Sequence, residues 1–175
     1  MEKKPELSVI ILNYKNPELT AKCVNHLIEA SNGANIRTET IIVDNSAPET
    51  ASTLRNLLPG EVVIIENERN QGFSKANNQG ISISQGEYVL LLNNDAFINA
   101  EVLKTGISFL RENPDCGMWA PKLVGEDGTF QMTCARLPSL KGLIVEYLLF
   151  RSYDRYSESE SWTEPRVVGA VIGAF

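Results

Sequence analysis

The chain has 175 residues and a mass of 19.4 kDa, which is the size of one ordinary domain. Apolar residues make up 43% and charged residues 22%, so the composition is that of a protein with a core and not that of a disordered chain. The formal net charge is −6 and the chain has no basic stripe, so nucleic acid is not an expected partner.

The sequence carries no recognisable targeting or membrane-spanning segment. The start of the chain, MEKKPEL, lacks the apolar stretch of a signal peptide, which predicts a cytoplasmic location. The apolar stretch from Leu143 to Phe150 is far shorter than the roughly 20 residues that span a bilayer.

Four short apolar runs predict the strands of one sheet. Each run is continuous and does not alternate with polar residues, so both faces of each strand are expected to be covered, as in a parallel sheet of an α/β protein. Helices are then expected between the strands. The runs are Val9–Leu12, Ile41–Val43, Val62–Ile65 and Val89–Leu92.

The helices between the strands have clear boundary signals. In the first, Asn16 is a cap, Pro17 suits the first turn, and the helix is expected to end before Ser31-Asn32-Gly33. Its apolar face includes Cys23, whereas His26, the only histidine, lies off that face and is predicted to face solvent. The other predicted helices are Pro48–Leu58, Phe73–Ser84 and Asn99–Asn113.

The pattern changes after Pro114. Two strands, Cys116–Val124 and Thr129–Ala135, are predicted to form a hairpin around the turn signal Gly125–Gly128. A helix over Ser139–Phe150 and a polar loop over Arg151–Glu164 follow. The chain stops on GAVIGAF, without a polar residue or stop signal, which suggests that it is part of a longer protein.

The cysteines and the classical phosphate motifs point away from several kinds of site. Cys23, Cys116 and Cys134 include no CxxC pair, so buried, inert thiols are predicted in place of a disulfide or a zinc site. Neither GxxxxGK[ST] nor GxGxxG follows the first strand, so the P-loop and dinucleotide-binding fingerprints are both missing.

Polar side chains follow each of the four predicted strands. Ligands of open parallel sheets bind outside these carboxyl ends, at the place where the strand order reverses. Turn formation and helix capping would also account for such residues one at a time. Asp95 follows two amide residues, and the hard oxygen atoms of carboxylates and amides suit Mg²⁺ or Mn²⁺. The clusters are Asn13-Tyr14, Asp44-Asn45-Ser46, Asn67–Asn70 and Asn93-Asn94-Asp95.

Four blocks along the chain resemble the nucleotide-sugar half of family 2 glycosyltransferases. They read LSVIILNYKNP, ETIIVDNSAP, NQGFSKANNQGI and GEYVLLLNNDA, and they occur in the family's order. The resemblance implies an α/β fold of the GT-A type, in which a mostly parallel, Rossmann-like sheet is flanked by helices. It implies a single domain over 1–175, with 7–96 as the nucleotide-binding half and 97–175 as an incomplete acceptor-side half. Three further segments look like members related to rhamnosyltransferases: Pro121-Lys122-Leu123, Asp127-Gly128 and Gly173-Ala174.

The same resemblance implies roles for the residues at the first two strand ends. Leu12 and Asn13 match family positions at which the protein backbone contacts the nucleotide base. Tyr14 matches a position at which an aromatic ring packs on a pyrimidine. Asp44 matches the carboxylate that accepts a hydrogen bond from the imide N–H of uracil or thymine.

The later blocks match the remaining nucleotide contacts. Asn93, Asn94 and Asp95 match the family's DXD-type motif, in which Asn94 faces the ribose and Asp95 holds the divalent metal, Mg or Mn. The segment containing Asn70, Gly72 and Asn78 resembles the one that lines the other side of the nucleotide. Only one carboxylate of the motif is present here.

The resemblance implies an inverting transferase that moves a sugar from a UDP- or dTDP-sugar, such as dTDP-rhamnose, to a glycan or lipid-linked acceptor in cell-surface polysaccharide synthesis. Such a reaction needs a general base, and the family's base is expected beyond Phe175, so this chain by itself is expected to be inactive. The alternative is a non-catalytic module that binds a nucleotide sugar. A nucleotidyltransferase is a third interpretation, but its glycine-rich phosphate loop is missing.

The helix over Ser139–Phe150, beside Arg151 and Arg155, has two interpretations. It either contacts the inner face of a membrane, where lipid-linked acceptors reside, or packs in a core or against a partner. An uncovered apolar face would favour a homo-oligomer at high concentration.

Overall fold

The structure, a computed structural model, describes residues 4–46, 48–125, 127–131, 134–135, 137, 139–140 and 164–171. The chain divides into two compact units, 1–117 and 118–174. Most of the predicted helix Ser139–Phe150 and of the predicted loop Arg151–Glu164 lies outside the described residues. In the described part, no helix is both long enough and apolar enough for a transmembrane span.

The first unit is built on a four-stranded parallel sheet, which confirms the predicted fold class. Its strands are β1 (Leu7–Asn13), β2 (Thr38–Asp44), β3 (Val63–Glu66) and β4 (Tyr88–Asn93). They lie in the order β3-β2-β1-β4, and every neighbouring pair is parallel. The chain therefore extends the sheet in one direction through β3 and then returns to place β4 on the other side of β1.

Four helices cover the two faces of this sheet. They are α1 (Pro17–Ala34), α2 (Ala51–Leu57), α3 (Phe73–Ile83) and α4 (Ala100–Glu112). Val24, Leu54 and Leu103, from α1, α2 and α4, share one core cluster with β1 and β2, whereas Ala76 of α3 packs in a second cluster with Ile10. β1 and β2 are buried on both faces, as their continuous apolar runs predicted. The outer strands β3 and β4 are partly exposed, with Val63 44% and Val89 42% exposed, so the prediction of full cover does not hold for them.

The helix ends differ from the predicted ones by more than one residue at two places. α1 runs to Ala34, past Ser31–Gly33, because Asn35 takes the left-handed conformation (φ 56°) and closes the helix. α2 begins at Ala51 and not at Pro48, since the Glu49 N–H bonds to the Ser46 carbonyl in a turn. The limits of α4 agree with the prediction, with Asn99 accepting a hydrogen bond from the Val102 N–H at 2.9 Å.

The second unit contains the predicted hairpin, with shorter strands than expected. β5 (Leu123–Val124) pairs antiparallel with β6 (Phe130–Gln131), and β7 (Cys134–Ala135) pairs with β8 (Ala170–Val171). Residues 116–122 form no strand, and Pro121 there has no N–H to donate to a ladder.

The hairpin turn is held by its own side chains. Asp127 Oδ1 accepts hydrogen bonds from the Thr129 hydroxyl at 2.6 Å and the Thr129 N–H at 3.0 Å, while Gly128 has a φ of 79°. The hydroxyl bond, followed by the backbone bond, lowers the pKa of the Asp127 carboxyl below its ordinary value.

The amino edge of the parallel sheet depends on a close approach of backbone to backbone. The Gly86 N–H donates to Ser8 Oγ at 2.8 Å and to Glu39 Oε1 at 3.1 Å. A Cβ on Gly86 would lie 2.5 Å from the Ser8 nitrogen and 2.9 Å from the Leu7 carbonyl carbon. Only glycine fits where the chain enters β4 in this position.

Cys23 is the one fully buried thiol among the three cysteines. Its Sγ lies 3.4 Å from the Ala96 carbonyl oxygen, and burial followed by the nearby charge of Asp95 raises its pKa to about 12. Cys116 and Cys134 are half-buried, so the prediction of buried thiols holds for Cys23 alone. The prediction that His26 faces solvent is confirmed, since the residue is exposed. One side of its ring contacts the Phe97 ring edge-on, with the centroids 4.9 Å apart.

We expect Gly86→Ala to lower the free energy of unfolding by about 1–3 kcal/mol, the usual cost of overpacking, because the backbone of β1 cannot move away from the added methyl group. Gly60→Ala is the matched control, since a Cβ at Gly60 meets nothing within 4 Å. Urea unfolding of both variants measures the difference, and equal midpoints would contradict the close approach.

The raised pKa of Cys23 predicts a thiol that does not react in the folded protein. In a variant with Cys116→Ser and Cys134→Ser, iodoacetamide at pH 9 should label Cys23 only after urea is added. Because the folded protein keeps a proton that the unfolded chain loses, stability should fall as the pH rises from about 9 toward about 12. Labelling of the folded variant at the rate of a free thiol would contradict this.

Candidate functional site

The polar clusters predicted from the sequence meet at the carboxyl edge of the sheet. The order of strands reverses between β1 and β4, and at this edge Leu12 is paired with Asn93 and Asn13 with Asp44. This crevice is where open parallel sheets bind their ligands. The topology therefore brings together the ends of β1, β2 and β4.

Asp44 lies at the centre of a buried hydrogen-bond network. Its side chain is 0% exposed, and its Oδ1 accepts from Asn13 Nδ2 at 2.9 Å, the Ser46 N–H at 3.0 Å and Ser46 Oγ at 2.8 Å. Its Oδ2 accepts from Thr50 Oγ1 at 2.7 Å. Such pairing offsets the cost of burying a carboxyl group.

Asn13 joins this network to helix α1. It too is 0% exposed, and its Oδ1 accepts a hydrogen bond from Thr20 Oγ1 at 2.8 Å. Its Nδ2 faces Asp44, with Thr50 Oγ1 at 3.2 Å and Ser46 Oγ at 3.3 Å nearby. The side chain of Asn13 therefore links both strands and both helices beneath the crevice, while its backbone carbonyl accepts from the Asn45 N–H at 2.9 Å.

The end of β4 presents a different environment. Asn94 is half-buried, and its Nδ2 donates to Thr20 Oγ1 at 3.0 Å. Asp95 is exposed, and its carboxylate has no hydrogen-bond or ion-pair partner in the part of the chain that the structure describes. Asn93 is half-buried, with its carbonyl accepting from the Ala96 N–H at 3.1 Å. Of the carboxylates that follow β2 and β4, Asp44 and Asp95, only Asp95 is open to a ligand.

The end of β1 carries an exposed aromatic ring. Tyr14 is 51% exposed, and Lys15 Nζ lies 5.4 Å from its ring centroid. Lys15 has a φ of 57°, and its N–H donates to Ser46 Oγ at 2.9 Å, which holds the sharp turn after the strand. Leu12 is half-buried against the cluster that contains Ile10.

The segment before α3 is tied to the end of β2 through Asn45. The Asn45 Oδ1 accepts from Asn67 Nδ2 at 3.0 Å and from the Gln71 N–H at 3.3 Å. Asn70 Oδ1 accepts from the Gly72 N–H at 2.8 Å, and Gly72 itself has a φ of 78°. Asn70 thus shapes the turn that starts α3.

Asn78 is exposed on α3, whereas Asn77 is buried and donates from Nδ2 to the Phe73 carbonyl at 3.1 Å. The segment predicted to line a ligand therefore consists of an ordered turn and the start of α3, and on the helix it exposes the amide of Asn78.

The described residues contain no group of three or more acidic, histidine or cysteine side chains that could hold a metal by themselves. The exposed oxygens of Asp95 nevertheless fit Mg²⁺ or Mn²⁺, which take hard oxygen ligands and keep several waters or substrate phosphates in their shell. One carboxylate with free lone pairs is enough for such a shared site.

Two hydroxyl residues of the network, Thr20 and Thr50, escaped a functional interpretation from the sequence, whereas Ser46 belongs to the cluster predicted at the end of β2. Thr20 belongs to the buried face of α1, and Ser46 and Thr50 belong to a turn and a helix start. The sequence offered one signal for this network: Thr20 is a hydroxyl residue on the otherwise apolar face of α1. Nothing in the spacing along the chain connects these residues, because they come together only through the strand pairing.

The family model "Glycosyl transferase family 2" matches residues 8–167 of the chain. A poly(ribitol-phosphate) beta-glucosyltransferase from Bacillus spizizenii is 29% identical over 112 residues, which are 62% of this chain and 18% of that protein. The glycosyltransferase GlyG from Streptococcus pneumoniae is 24% identical over 102 residues, which are 57% of this chain and 33% of that protein. The chain thus spans a minor part of these curated relatives.

Solved structures share the fold. The mannosyltransferase PcManGT from Pyrobaculum calidifontis, in complex with GDP-Man and Mn²⁺, matches with a TM-score of 0.53 and 22% identity, over 62% of this chain and 33% of that one. The structure of S. aureus TarS 1-349 matches with a TM-score of 0.51 and 22% identity, over 88% of this chain and 47% of that one. TarS in complex with UDP matches with a TM-score of 0.50.

The fold is therefore the GT-A type that the four blocks predicted, and the family match covers most of the chain. The chain belongs to glycosyl transferase family 2.

Proposed function

We propose that this chain holds the donor site of a transferase that takes a sugar from a UDP- or dTDP-sugar in the presence of Mg²⁺ or Mn²⁺. One observation carries the proposal: the strand order reverses between β1 and β4, where the chain presents an exposed ring, Tyr14, and an exposed carboxylate, Asp95, which has no partner among the described residues. A flat base and a diphosphate–metal group need such a pair of partners.

The ligands of two similar proteins support a nucleotide-sugar site that uses a divalent metal. The mannosyltransferase was solved with GDP-Man and Mn²⁺, and TarS was solved with UDP. One curated relative is a poly(ribitol-phosphate) glucosyltransferase, which acts on a polymer. We therefore propose that the full-length protein uses a nucleotide-sugar donor and a glycan or lipid-linked acceptor.

The geometry of Asp44 suggests how a pyrimidine would be recognised. Oδ1 already has three donors, whereas Oδ2 has only the Thr50 hydroxyl. We place the imide N–H of uracil or thymine at the second lone pair of Oδ2. Because Asp44 is fully buried in the ligand-free chain, the base must open this corner of the network to reach it.

Asp95 would hold the divalent metal together with the donor diphosphate. The metal, when bound, supplies positive charge that stabilises the departing nucleoside diphosphate. With a single carboxylate, Asp95 gives the site a low affinity for metal alone and a higher one once the phosphates contribute oxygens. Asn94, beside it, would face the ribose, and the turn of Asn70 and Gly72 with Asn78 would line the other side of the nucleotide.

The transfer step itself belongs to the whole protein. An inverting reaction needs a base that takes the proton of the acceptor hydroxyl, and we propose that it lies in the acceptor-side half, outside the described residues. The site of action that we propose is the cytoplasm, at the inner face of the membrane if the acceptor is lipid-linked. A module that binds the donor without transferring the sugar is the competing interpretation, and product formation by the full-length protein decides between them.

Calorimetric titration of the 175-residue chain with UDP, dTDP, GDP and ADP, each with and without Mn²⁺, tests the donor site. We expect binding that favours the pyrimidine nucleotides and strengthens with Mn²⁺. Asp95→Asn should remove the strengthening by Mn²⁺. Asp115→Asn, which changes an exposed carboxylate in the turn after α4, should retain it. If no nucleotide binds to the folded chain, or Asp95→Asn keeps the full effect of Mn²⁺, the proposed donor site is wrong.

Asp44→Ala should weaken UDP binding by roughly 1.5–3 kcal/mol, the range for a hydrogen bond to a charged group. The same change leaves Asn13 and Thr50 without a buried acceptor, so the unfolding midpoint should fall too. Titration with GDP well below that midpoint separates the two effects. An equal loss for UDP and GDP would assign Asp44 to the fold alone.

A further inference from the structure

We propose that the buried hydroxyl of Thr20 sets the orientation of the Asn94 amide, so that Asn94 offers its oxygen, and not its nitrogen, to a ligand at the end of β4. This rests on the proposed function, because it concerns the residue beside the proposed metal ligand. Thr20 is 0% exposed, so it is a positioning residue and not a ligand contact.

Asp44 Oδ1 fixes the direction of the hydrogen bonds in the network, because a carboxylate oxygen only accepts. This oxygen accepts the backbone N–H of Ser46 at 3.0 Å, and a backbone N–H can only donate. The amide atom of Asn13 that lies 2.9 Å from the same oxygen must therefore be the NH₂ group. It follows that the Asn13 oxygen points the other way, toward Thr20.

The Thr20 hydroxyl has a single proton, which it can donate to only one acceptor at a time. The Asn13 oxygen, 2.8 Å away, can only accept, so Thr20 must donate to it. The Asn16 carbonyl, at 3.1 Å, competes for the same proton. Donation to Asn16 would leave a buried amide oxygen of Asn13 unpaired, at a cost of about 1–3 kcal/mol. The proton therefore lies toward Asn13.

The Thr20 hydroxyl also contacts the Asn94 amide at the surface of the site. With its proton committed, the Thr20 oxygen can only accept, so the Asn94 atom 3.0 Å away is the NH₂ group. The Asn94 oxygen has no donor among the residues that the structure describes and is left for a ligand, next to Asp95. Hydrogen-bond polarity thus runs in one direction from Asp44, through Asn13 and Thr20, to Asn94.

This orientation matters for the chemistry of the site. An amide oxygen can accept a hydrogen bond from a ribose hydroxyl, and its partial negative charge attracts a cation. An NH₂ group in its place would repel a divalent metal. Without the Thr20 hydroxyl, nothing in the network distinguishes the two orientations of the Asn94 amide, and part of the population presents the wrong group.

Other contacts between α1 and the end of β4 set position without setting amide orientation. Cys23 Sγ lies near the carbonyl oxygens of Asn93 and Ala96, and the Phe97 ring lies beside His26 and Lys22 at centroid distances of 4.9 and 5.1 Å. These contacts remain when the Thr20 hydroxyl is removed. A variant that loses only the hydroxyl therefore tests orientation and not the placement of the turn.

The test compares Thr20→Val, which keeps the shape and removes the hydroxyl, with Thr20→Ser, which keeps the hydroxyl. Ser31→Ala is the matched control on the same helix, since the Ser31 hydroxyl is buried without a hydrogen-bond partner in the described part of the chain. All three chains and the parent are titrated with UDP, with and without Mn²⁺, well below their unfolding midpoints.

We expect Thr20→Val to lose about tenfold in UDP affinity in the presence of Mn²⁺, or about 1.4 kcal/mol, with a smaller loss without the metal. Thr20→Ser should restore most of the affinity, and Ser31→Ala should match the parent chain. Unchanged binding in Thr20→Val, or no rescue by Thr20→Ser, overturns the proposal.

A second measurement keeps this inference separate from the proposed function. In ¹⁵N spectra of the ligand-free chain, assigned with Asn94→Ala, the Asn94 side-chain NH₂ protons should exchange slowly in the parent and in Thr20→Ser and quickly in Thr20→Val. The same exchange rate in all three overturns the orientation by Thr20, whether or not UDP binds. Failure of the parent chain to bind any nucleotide rejects the donor site instead.

Discussion

The carboxyl edge of the sheet depends on one buried interaction, the hydrogen bond between Asn13 and Asp44 across the ends of β1 and β2. Both side chains are fully buried, so every polar atom they carry must find a partner inside the protein. Asn13 does this by bonding Asp44 on one side and Thr20 on the other. This pair of hydrogen bonds therefore constrains three features together: the register of β1 and β2, the position of α1 and the turn before α2.

This constraint explains how an apolar sheet can present a polar site. The core on both faces is made of aliphatic side chains from the strands and helices, which contribute most of the stability but specify little at the edge. The buried amide, carboxyl and hydroxyl groups are directional, and a half-satisfied network would cost more than it contributes. Their requirement for complete pairing restricts the edge to one arrangement, which holds the backbone from which Tyr14 and Asp95 extend.

The two carboxylates of the site show how one residue type serves two purposes. Asp44 is enclosed by four donors, while Asp95 is exposed and unpartnered among the described residues. Asp95 also acts on the core at a distance, since its charge adds to burial in raising the pKa of Cys23. The end of β4 is thus electrostatically linked to α1 as well as hydrogen-bonded to it.

The sequence by itself determined the parallel α/β sheet, the four helices and the strand ends at which polar residues gather, because hydrophobic period and capping residues are local properties. It also carried the family blocks, from which Asp44, Asn94 and Asp95 are predicted to contact the nucleotide or the metal. It did not determine that Asp44 is buried and Asp95 exposed, nor that Asn35, and not Gly33, ends α1. Only the tertiary structure decided these, and only it joined Thr20 to Asn94, 74 positions apart, since hydrogen-bond partners depend on which strands become neighbours.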